Sequence, residues 1–201
     1  MDKIICIGKN YLDHAKELGD SVPAMPVIFF KPPSVLCQAK RGETLSIELP
    51  KERGSVHHEC EIVLRIKMDG SRIFFDAATL GLDMTLRDTQ SEIKKNGHPW
   101  ELAKVFPNSA IIGPWLQLDE FPEYLDEEFS LKIGTEIRQK GHGNEMRVNP
   151  QDCLSHIQKN FLILNGDLLF TGTPAGVGAV HPGNLAELRW SGETLFRVLW
   201  T

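Results

Sequence analysis

The chain has 201 residues, 24% of them charged, and a formal net charge of -5, a length that suits one domain burying roughly 70% of its unfolded surface without covalent staples. The mild acidic surplus, free of long runs of like charge, excludes a nucleic-acid surface and a polybasic membrane patch, and no window reaches the ~18 apolar residues of a membrane span. Cys6, Cys37, Cys60 and Cys153 form no Cys-x-x-Cys pair and follow no secretory leader, so they fit reduced thiols of a soluble cytoplasmic protein rather than disulfides or structural zinc.

In chain order, Ile4 to Ile7 is a short apolar strand ended by Gly8. Tyr11 to Leu18 is a short helix with Tyr11, Ala15 and Leu18 on one face and Gly19 as its stop. Val27 to Phe30 is a strand cut off by Pro32-Pro33. The stretch His57 to Ile66 reads as a strand, Asp76 to Leu80 as a helix end or loop, and Leu80 to Thr85 as an apolar strand carrying one acid, Asp83. Ser91 to Lys95 reads as a loop or short helical turn. Gln151 to Phe161 has helical composition, Leu168 to Phe170 is a strand, and two strands flank Ser191-Gly192 as a hairpin. Many short strands and few short helices predict a β-rich α+β fold, with loops gathered at one end. No repeat, low-complexity tract or linker divides the chain, so residues 1–201 are read as a single domain.

Strand periodicity makes Glu59 and Glu61 the most informative pair. Alternate side chains share a face, so Cys60, Ile62, Leu64 and Ile66 can bury one side while both glutamates point to the other with Val63 and Arg65. Their Cα atoms then lie roughly 6 to 7 Å apart. Two carboxylates so close on a buried face call for a cation between them; on an exposed face they are ordinary solvated acids. Asp83 likewise has two readings, a structural ion pair with Arg87 or a third oxygen ligand beside Glu59 and Glu61. Three carboxylates would suit Mg²⁺ or Mn²⁺. His57 would share the glutamate face, either as an imidazole ligand or, as is commoner for a neighbouring histidine, supporting such a site from behind.

His14 and Glu17 are neighbours on their helix. Either they form a solvated pair, or the carboxylate orients the imidazole as a general base. Thr171 to Gly178 follows a strand but lacks the Gly-Lys-Ser/Thr ending of a phosphate loop; it is either a structural turn or a turn that presents Thr173 to a ligand.

Taken together, Gly8-Lys9-Asn10-Tyr11 with His14, Phe30-Lys31-Pro32, His58-Glu59-Cys60-Glu61, Leu82 to Gln90, Ala103-Lys104, and Thr171-Gly172-Thr173-Pro174 with Gly176-Val177-Gly178 resemble the fumarylacetoacetate hydrolase family, in particular its short acylpyruvase and oxaloacetate decarboxylase branch. The resemblance implies a mixed β-sandwich roll, a homodimer, and Mg²⁺ or Mn²⁺ held by Glu59, Glu61 and Asp83. It implies a mobile lid from His14 to about Asp20 carrying the His14–Glu17 pair, catalytic assistance from Lys104, and substrate contacts from Lys31, Arg87, Gln90 and Thr173. His58 and Asp88 fall inside matched motifs and are expected to be structural. The activity implied is hydrolysis of a C–C bond in a small 3-acylpyruvate-like β-diketo acid through a metal-stabilised enolate. Decarboxylation of oxaloacetate or keto-enol tautomerisation of 2-oxo acids would use the same enolate, and a metal-dependent binding protein without turnover is the alternative of another class. Two positions depart from the family pattern: after Arg138-Gln139-Lys140-Gly141, which resembles the branch's Arg-Gln-x-Gly, Gly143 stands where a threonine is usual, and Cys60 replaces a larger aliphatic residue without becoming a nucleophile.

Overall fold

The protein is described by a computed structural model that places residues 1–17 and 27–201. In order, its elements are β1 (Ile4–Gly8), α1 (Leu12–Glu17), β2 (Val27–Lys31), β3 (Leu36–Gln38), β4 (Thr44–Ile47), β5 (Val56–His58), β6 (Cys60–Asp69), β7 (Arg72–Asp83), β8 (Thr85–Leu86), α2 (Arg87–Asn96) and α3 (Glu101–Lys104). They continue with β9 (Ala110–Ile112), β10 (Leu116–Gln117), β11 (Phe129–Ile133), β12 (Glu136–Gly141), α4 (Pro150–Asn160), β13 (Leu168–Phe170), β14 (Gly178–Ala179), β15 (Leu185–Trp190) and β16 (Glu193–Trp200). The β-rich α+β expectation holds.

A mixed sheet runs β2-β1-β13-β6-β7-β9-β3, with β10 added to β7; a second runs β12-β11-β15-β16-β4, and a small third runs β14-β5-β8. The larger sheet is buried on both faces. Even-numbered residues of β6, from Cys60 to Ile66, enter the main core with Leu131, Leu188, Phe196 and Trp200 of the second sheet. Val63, on the glutamate side, packs instead with Ile4, Cys6, Phe29 and Phe170. The period-two reading of β6 is therefore correct, but its acidic face meets protein rather than water.

Two local readings change. Asp76 to Leu80 is the middle of β7, not a helix end or loop. Ala77 and Ala78 are completely buried, small enough to lie under neighbouring strands, and Asp76 receives Arg65 of the paired strand at 2.8 and 2.9 Å. Ser91 to Lys95 belongs to a full helix, α2, closed by Gly97 at φ 66°, a left-handed stop for which glycine is suited. The helix around His14 ends at Glu17 among the described residues, and Leu18, Gly19 and the rest of the expected lid lie outside them.

The β6–β7 ladder sets Glu61 opposite Gly81. A Cβ at Gly81 would come within 2.7 Å of Val63 Cγ2 and 2.8 Å of the Ile111 carbonyl oxygen, so the absent side chain is what lets the strands close here. Gly143 is explained in the same way, because a Cβ there would meet Leu125 Cα at 2.8 Å and its Cδ2 at 2.5 Å. Gly81→Ala is expected to lower stability by about 1–3 kcal/mol through overpacking, measured as a reduced urea midpoint. A midpoint equal to that of the unsubstituted chain would contradict the tight-approach account.

Candidate active site

The break between β5 and β6 falls at Glu59, and the end of β7 falls at Asp83, whose N–H donates to the Glu59 carbonyl at 2.9 Å. This backbone pairing sets the two acids side by side. Glu61 joins them from two residues further along β6, and oxygen atoms of Glu59, Glu61 and Asp83 lie within 4.8 Å of one another. All three are buried, at 5%, 2% and 1% exposure, which removes the solvated-face reading of the pair.

Three cations answer the carboxylates. Lys104, on α3 and itself buried, donates to Glu59 Oε2 at 2.8 Å, Asp83 Oδ2 at 2.6 Å and Thr85 Oγ1 at 2.7 Å. Burial alone would lower its pKa, but Asp83 and Glu59 outweigh that and hold it above the ordinary lysine value. Arg87 Nη2 donates to Glu59 Oε1 at 2.7 Å and Nη1 to Gln90 Oε1. Arg87 thus pairs with Glu59, and the reading of Asp83 as its ion-pair partner gives way. Burial opposes ionisation of Glu59, yet Lys104 and Arg87 hold its pKa well below the usual carboxylate range.

Lys31 differs from expectation. Its Nζ lies 2.6 Å from Asp83 Oδ1 and donates to the Ser109 and Met84 carbonyls at 2.6 and 3.2 Å. It is fully buried behind Asp83 and does not line the cleft. The strand period that buries Phe29 also carries Lys31 inward, where it neutralises a ligand candidate rather than meeting substrate.

Glu61 has a different environment. It accepts from the Gly172 N–H at 2.7 Å, while burial and the neighbouring Asp83 and Glu59 carboxylates push its pKa well above the ordinary value. A dication would relieve that repulsion, and an all-oxygen donor set suits a hard ion such as Mg²⁺ or Mn²⁺. The residues present therefore fit such an ion.

The acids open onto a cleft of about 410 Å³, counting the part open to solvent. It is lined also by His14, Arg87, Gln90, Lys104, Thr173, Phe29, Trp100, Lys9 and Lys94. His14 is buried, with Nδ1 3.2 Å from Glu17 Oε2. The Glu17 carboxylate in turn accepts from the Gly176 N–H at 3.1 and 3.2 Å, which docks α1 onto the glycine-rich turn. Thr173 Oγ1 donates to the Cys60 carbonyl and accepts from Gln139 Nε2. Its hydroxyl proton is thus committed, and the remaining lone pair is what it can offer a ligand.

Gln139 is the residue the sequence reading missed. Its Oε1 accepts from Cys60 N–H at 2.9 Å and from His58 Nδ1 at 2.8 Å, while its Nε2 donates to Thr173 Oγ1 and the Pro174 carbonyl. One buried amide thereby ties the Glu59-Cys60-Glu61 segment to the Thr173 turn. The available signal was its place beside Arg138 and Gly141 in a recognisable motif; nothing in local periodicity marks it. Cys60 stays inert in the core, its thiol pKa pushed far up by burial and by Glu61. Asp88 is structural as expected, accepting from Ser55 N–H at 2.8 Å. His57 lies 3.4 Å from Arg87 Nε through its Nδ1, beside the acids rather than among the cleft-lining residues.

A family profile described as "Fumarylacetoacetate (FAA) hydrolase C-terminal" matches residues 3–197. The chain belongs to the fumarylacetoacetate hydrolase family. It is 34% identical to oxaloacetate tautomerase YcgM of Escherichia coli K12, across 97% of this chain and 91% of that protein. It is 35% identical to a mitochondrial oxaloacetate decarboxylase of Dictyostelium discoideum, across 92% and 87%. A crystal structure of fumarylpyruvate hydrolase from Pseudomonas aeruginosa in complex with Mn²⁺ and pyruvate superposes with a TM-score of 0.91 at 32% identity, covering 99% of this chain and 89% of that one. The roll architecture is that of the family, and its relatives support an enzyme. No helix among the described residues is long and apolar enough to cross a membrane.

Burial lowers the His58 pKa from 6.5 to about 4, against the opposing hydrogen bond to Gln139. The unfolded chain takes up this proton first, so the stability contributed by neutral His58 is present above pH 6.5 and is lost as pH falls towards about 4. His58→Asn, which keeps a donor towards Gln139, is expected to flatten the thermal-stability profile across that window. An equally steep profile in the variant would assign the acid sensitivity to other groups.

Proposed function

We propose that the chain is a metal-dependent enzyme acting on small 2-oxo acids through the enolate of its substrate. Tautomerisation or decarboxylation of an oxaloacetate-like acid is the reading supported best. One observation carries it: Glu59, Glu61 and Asp83 converge, buried, beside Lys104 and Arg87 at one cleft. The named activities of the relatives at 34–35% identity agree with it.

Glu59, Glu61 and Asp83 would hold Mg²⁺ or Mn²⁺, which when bound supplies Lewis-acid stabilisation of negative charge developing on a keto oxygen. Lys31 and Lys104 fix the two Asp83 oxygens, so the carboxylate cannot rotate away when substrate enters. Arg87 holds Gln90 through Oε1, leaving the Gln90 amide N–H₂ to donate to a substrate carboxylate. Lys104 keeps a permanent ammonium where charge builds up, and it is fixed before the reaction begins, so little reorganisation is needed. Phe29 and Trp100, with ring centroids 5.4 Å apart, form an apolar wall that limits the cleft to a small substrate.

A second reading, C–C hydrolysis of a 3-acylpyruvate-like β-diketo acid, is favoured by the buried His14 at the cleft, paired with the exposed Glu17. Glu17 orients the imidazole, which can take a proton from an attacking water. The homodimer expected from the family resemblance and the cytoplasmic location expected from the cysteines remain part of this proposal, as does the assignment of the whole chain to one catalytic domain.

Metal-loaded protein given oxaloacetate, enol-oxaloacetate and acetylpyruvate separately, with products followed by NMR, tests the reading; turnover of none of them despite tight metal binding would leave a binding protein. Glu61→Ala is expected to weaken Mn²⁺ binding by more than about 100-fold, judged against the 10–100-fold cost of altering residues behind a metal ligand, and to remove every activity. His14→Ala should cut hydrolysis by about 100-fold or more and decarboxylation far less. Equal losses in both would contradict the role given to His14.

A further inference from the structure

Two backbone groups fix the direction of every hydrogen bond that Gln139 makes. The Cys60 N–H can only donate and the Pro174 carbonyl can only accept, and the Gln139 amide bridges them at 2.9 Å on each side. Turning the amide over would set N–H against N–H and carbonyl against carbonyl, so Oε1 faces Cys60 and Nε2 faces Pro174. The neighbours then have no choice. His58 Nδ1, 2.8 Å from Oε1, carries a hydrogen, and Thr173 Oγ1, 2.7 Å from Nε2, accepts one. The Cys60 carbonyl, 2.8 Å from the same Oγ1, takes the hydroxyl hydrogen of Thr173. Gln139, His58 and Thr173 are all buried, so a hydroxyl that rotated away would give up a bond that water does not readily replace.

Thr173 therefore reaches the cleft with its hydrogen spent and one lone pair left. Gln90, in the same lining, has the opposite polarity. Arg87 Nη1 occupies its Oε1 at 2.5 Å, and its amide keeps N–H groups to give. A ligand that satisfies both residues brings an acceptor for Gln90 and a hydrogen for Thr173. A carboxylate supplies the first and lacks the second. The enol of a 2-oxo acid carries a carboxylate beside an oxygen that bears a hydrogen, as does a 2-hydroxy acid. The keto form carries no such hydrogen.

We infer that Thr173 is a specificity-determining residue that accepts a hydrogen bond from the enol hydroxyl of the substrate, and that Gln139 is the positioning residue that prevents Thr173 from donating. The inference rests on the 2-oxo acid reading of the site. It separates two tautomers of one acid by a single hydrogen. The enol O–H meets a lone pair, whereas a keto or carboxylate oxygen in the same place would set a second lone pair against it. The contrary arrangement, a threonine hydroxyl donating to a carboxylate, would favour ligands without that hydrogen and would need no amide behind it.

Calorimetry with lactate, pyruvate and oxalate on Mn²⁺-loaded protein tests this. Lactate has an O–H at C2 and stands in for the enol, pyruvate has a keto oxygen there, and oxalate has a second carboxylate. Thr173→Val is expected to weaken lactate about tenfold, the loss of one hydrogen bond, while pyruvate and oxalate stay within about twofold. Thr173→Ser should bring the lactate affinity back. Gln139→Met releases the hydroxyl to turn, so the ratio of oxalate to lactate affinity should rise about tenfold. Equal weakening of all three acids in that variant would mark Gln139 as merely structural and overturn its part of the inference. Should Gln139→Met fail to fold, the two Thr173 variants decide alone. Pyruvate and oxalate weakened as much as lactate by Thr173→Val, or more, would overturn the inference, because the hydroxyl would then be donating. Unsubstituted protein that binds none of the three acids would sink the reading of the site as well; binding of all three with lactate insensitive to Thr173→Val would sink this inference alone.

Discussion

Three buried carboxylates with oxygen atoms within 4.8 Å of one another are the constraint on which the rest of this structure depends. Separately, each would resist ionisation in such a place, and together they repel. Lys104 spans Glu59 and Asp83, Arg87 takes the other Glu59 oxygen and Lys31 the other Asp83 oxygen. Glu61 is left with the Gly172 N–H and a strongly raised pKa. The cluster is thus balanced around two acids and unbalanced at the third, which is the condition under which a dication gains most by binding.

The fold sustains this by making the acids part of its most buried ladder. β6 and β7 pair along most of their lengths, with Glu61 facing Gly81, and one face of β6 is sealed by the second sheet's aromatic and aliphatic residues. The sealed face anchors the strand, so the opposite face can carry charge without the strand leaving the sheet. Gln139 extends the same logic across elements, since its single amide satisfies the Cys60 N–H, His58, Thr173 and the Pro174 carbonyl. Buried polar networks of this kind are stable when every member is satisfied, and this one holds the Thr173 turn in register with the acids.

Position along α2 and α1 then decides what surrounds the reacting atoms. α2 turns Arg87, Gln90 and Lys94 to the cleft, while α1 brings His14 over it and is held down by Glu17 on Gly176. Charge on one side and an imidazole on the other are the features on which the proposed enolate chemistry rests. The size of the cleft and its aromatic wall restrict which acids reach it.

From the sequence alone, the alternation in β6 determined that Glu59 and Glu61 share a face and that Cys60 turns into the core. The motif order placed Asp83, Lys104, Arg87, Gln90, Thr173 and His14 in one expected site, and all of them line or border the cleft. The C-terminal hairpin and the strand at Leu168 were equally legible, because turn residues and apolar runs act locally. Only the tertiary structure decided that the acidic face is buried, that Arg87 answers Glu59, that Lys31 stands behind Asp83, and that Asp76 to Leu80 is a strand. It also revealed Gln139 as the link between two loops. These are choices of partner between residues far apart in the chain, and local periodicity describes one strand's own faces but not what the fold packs against them.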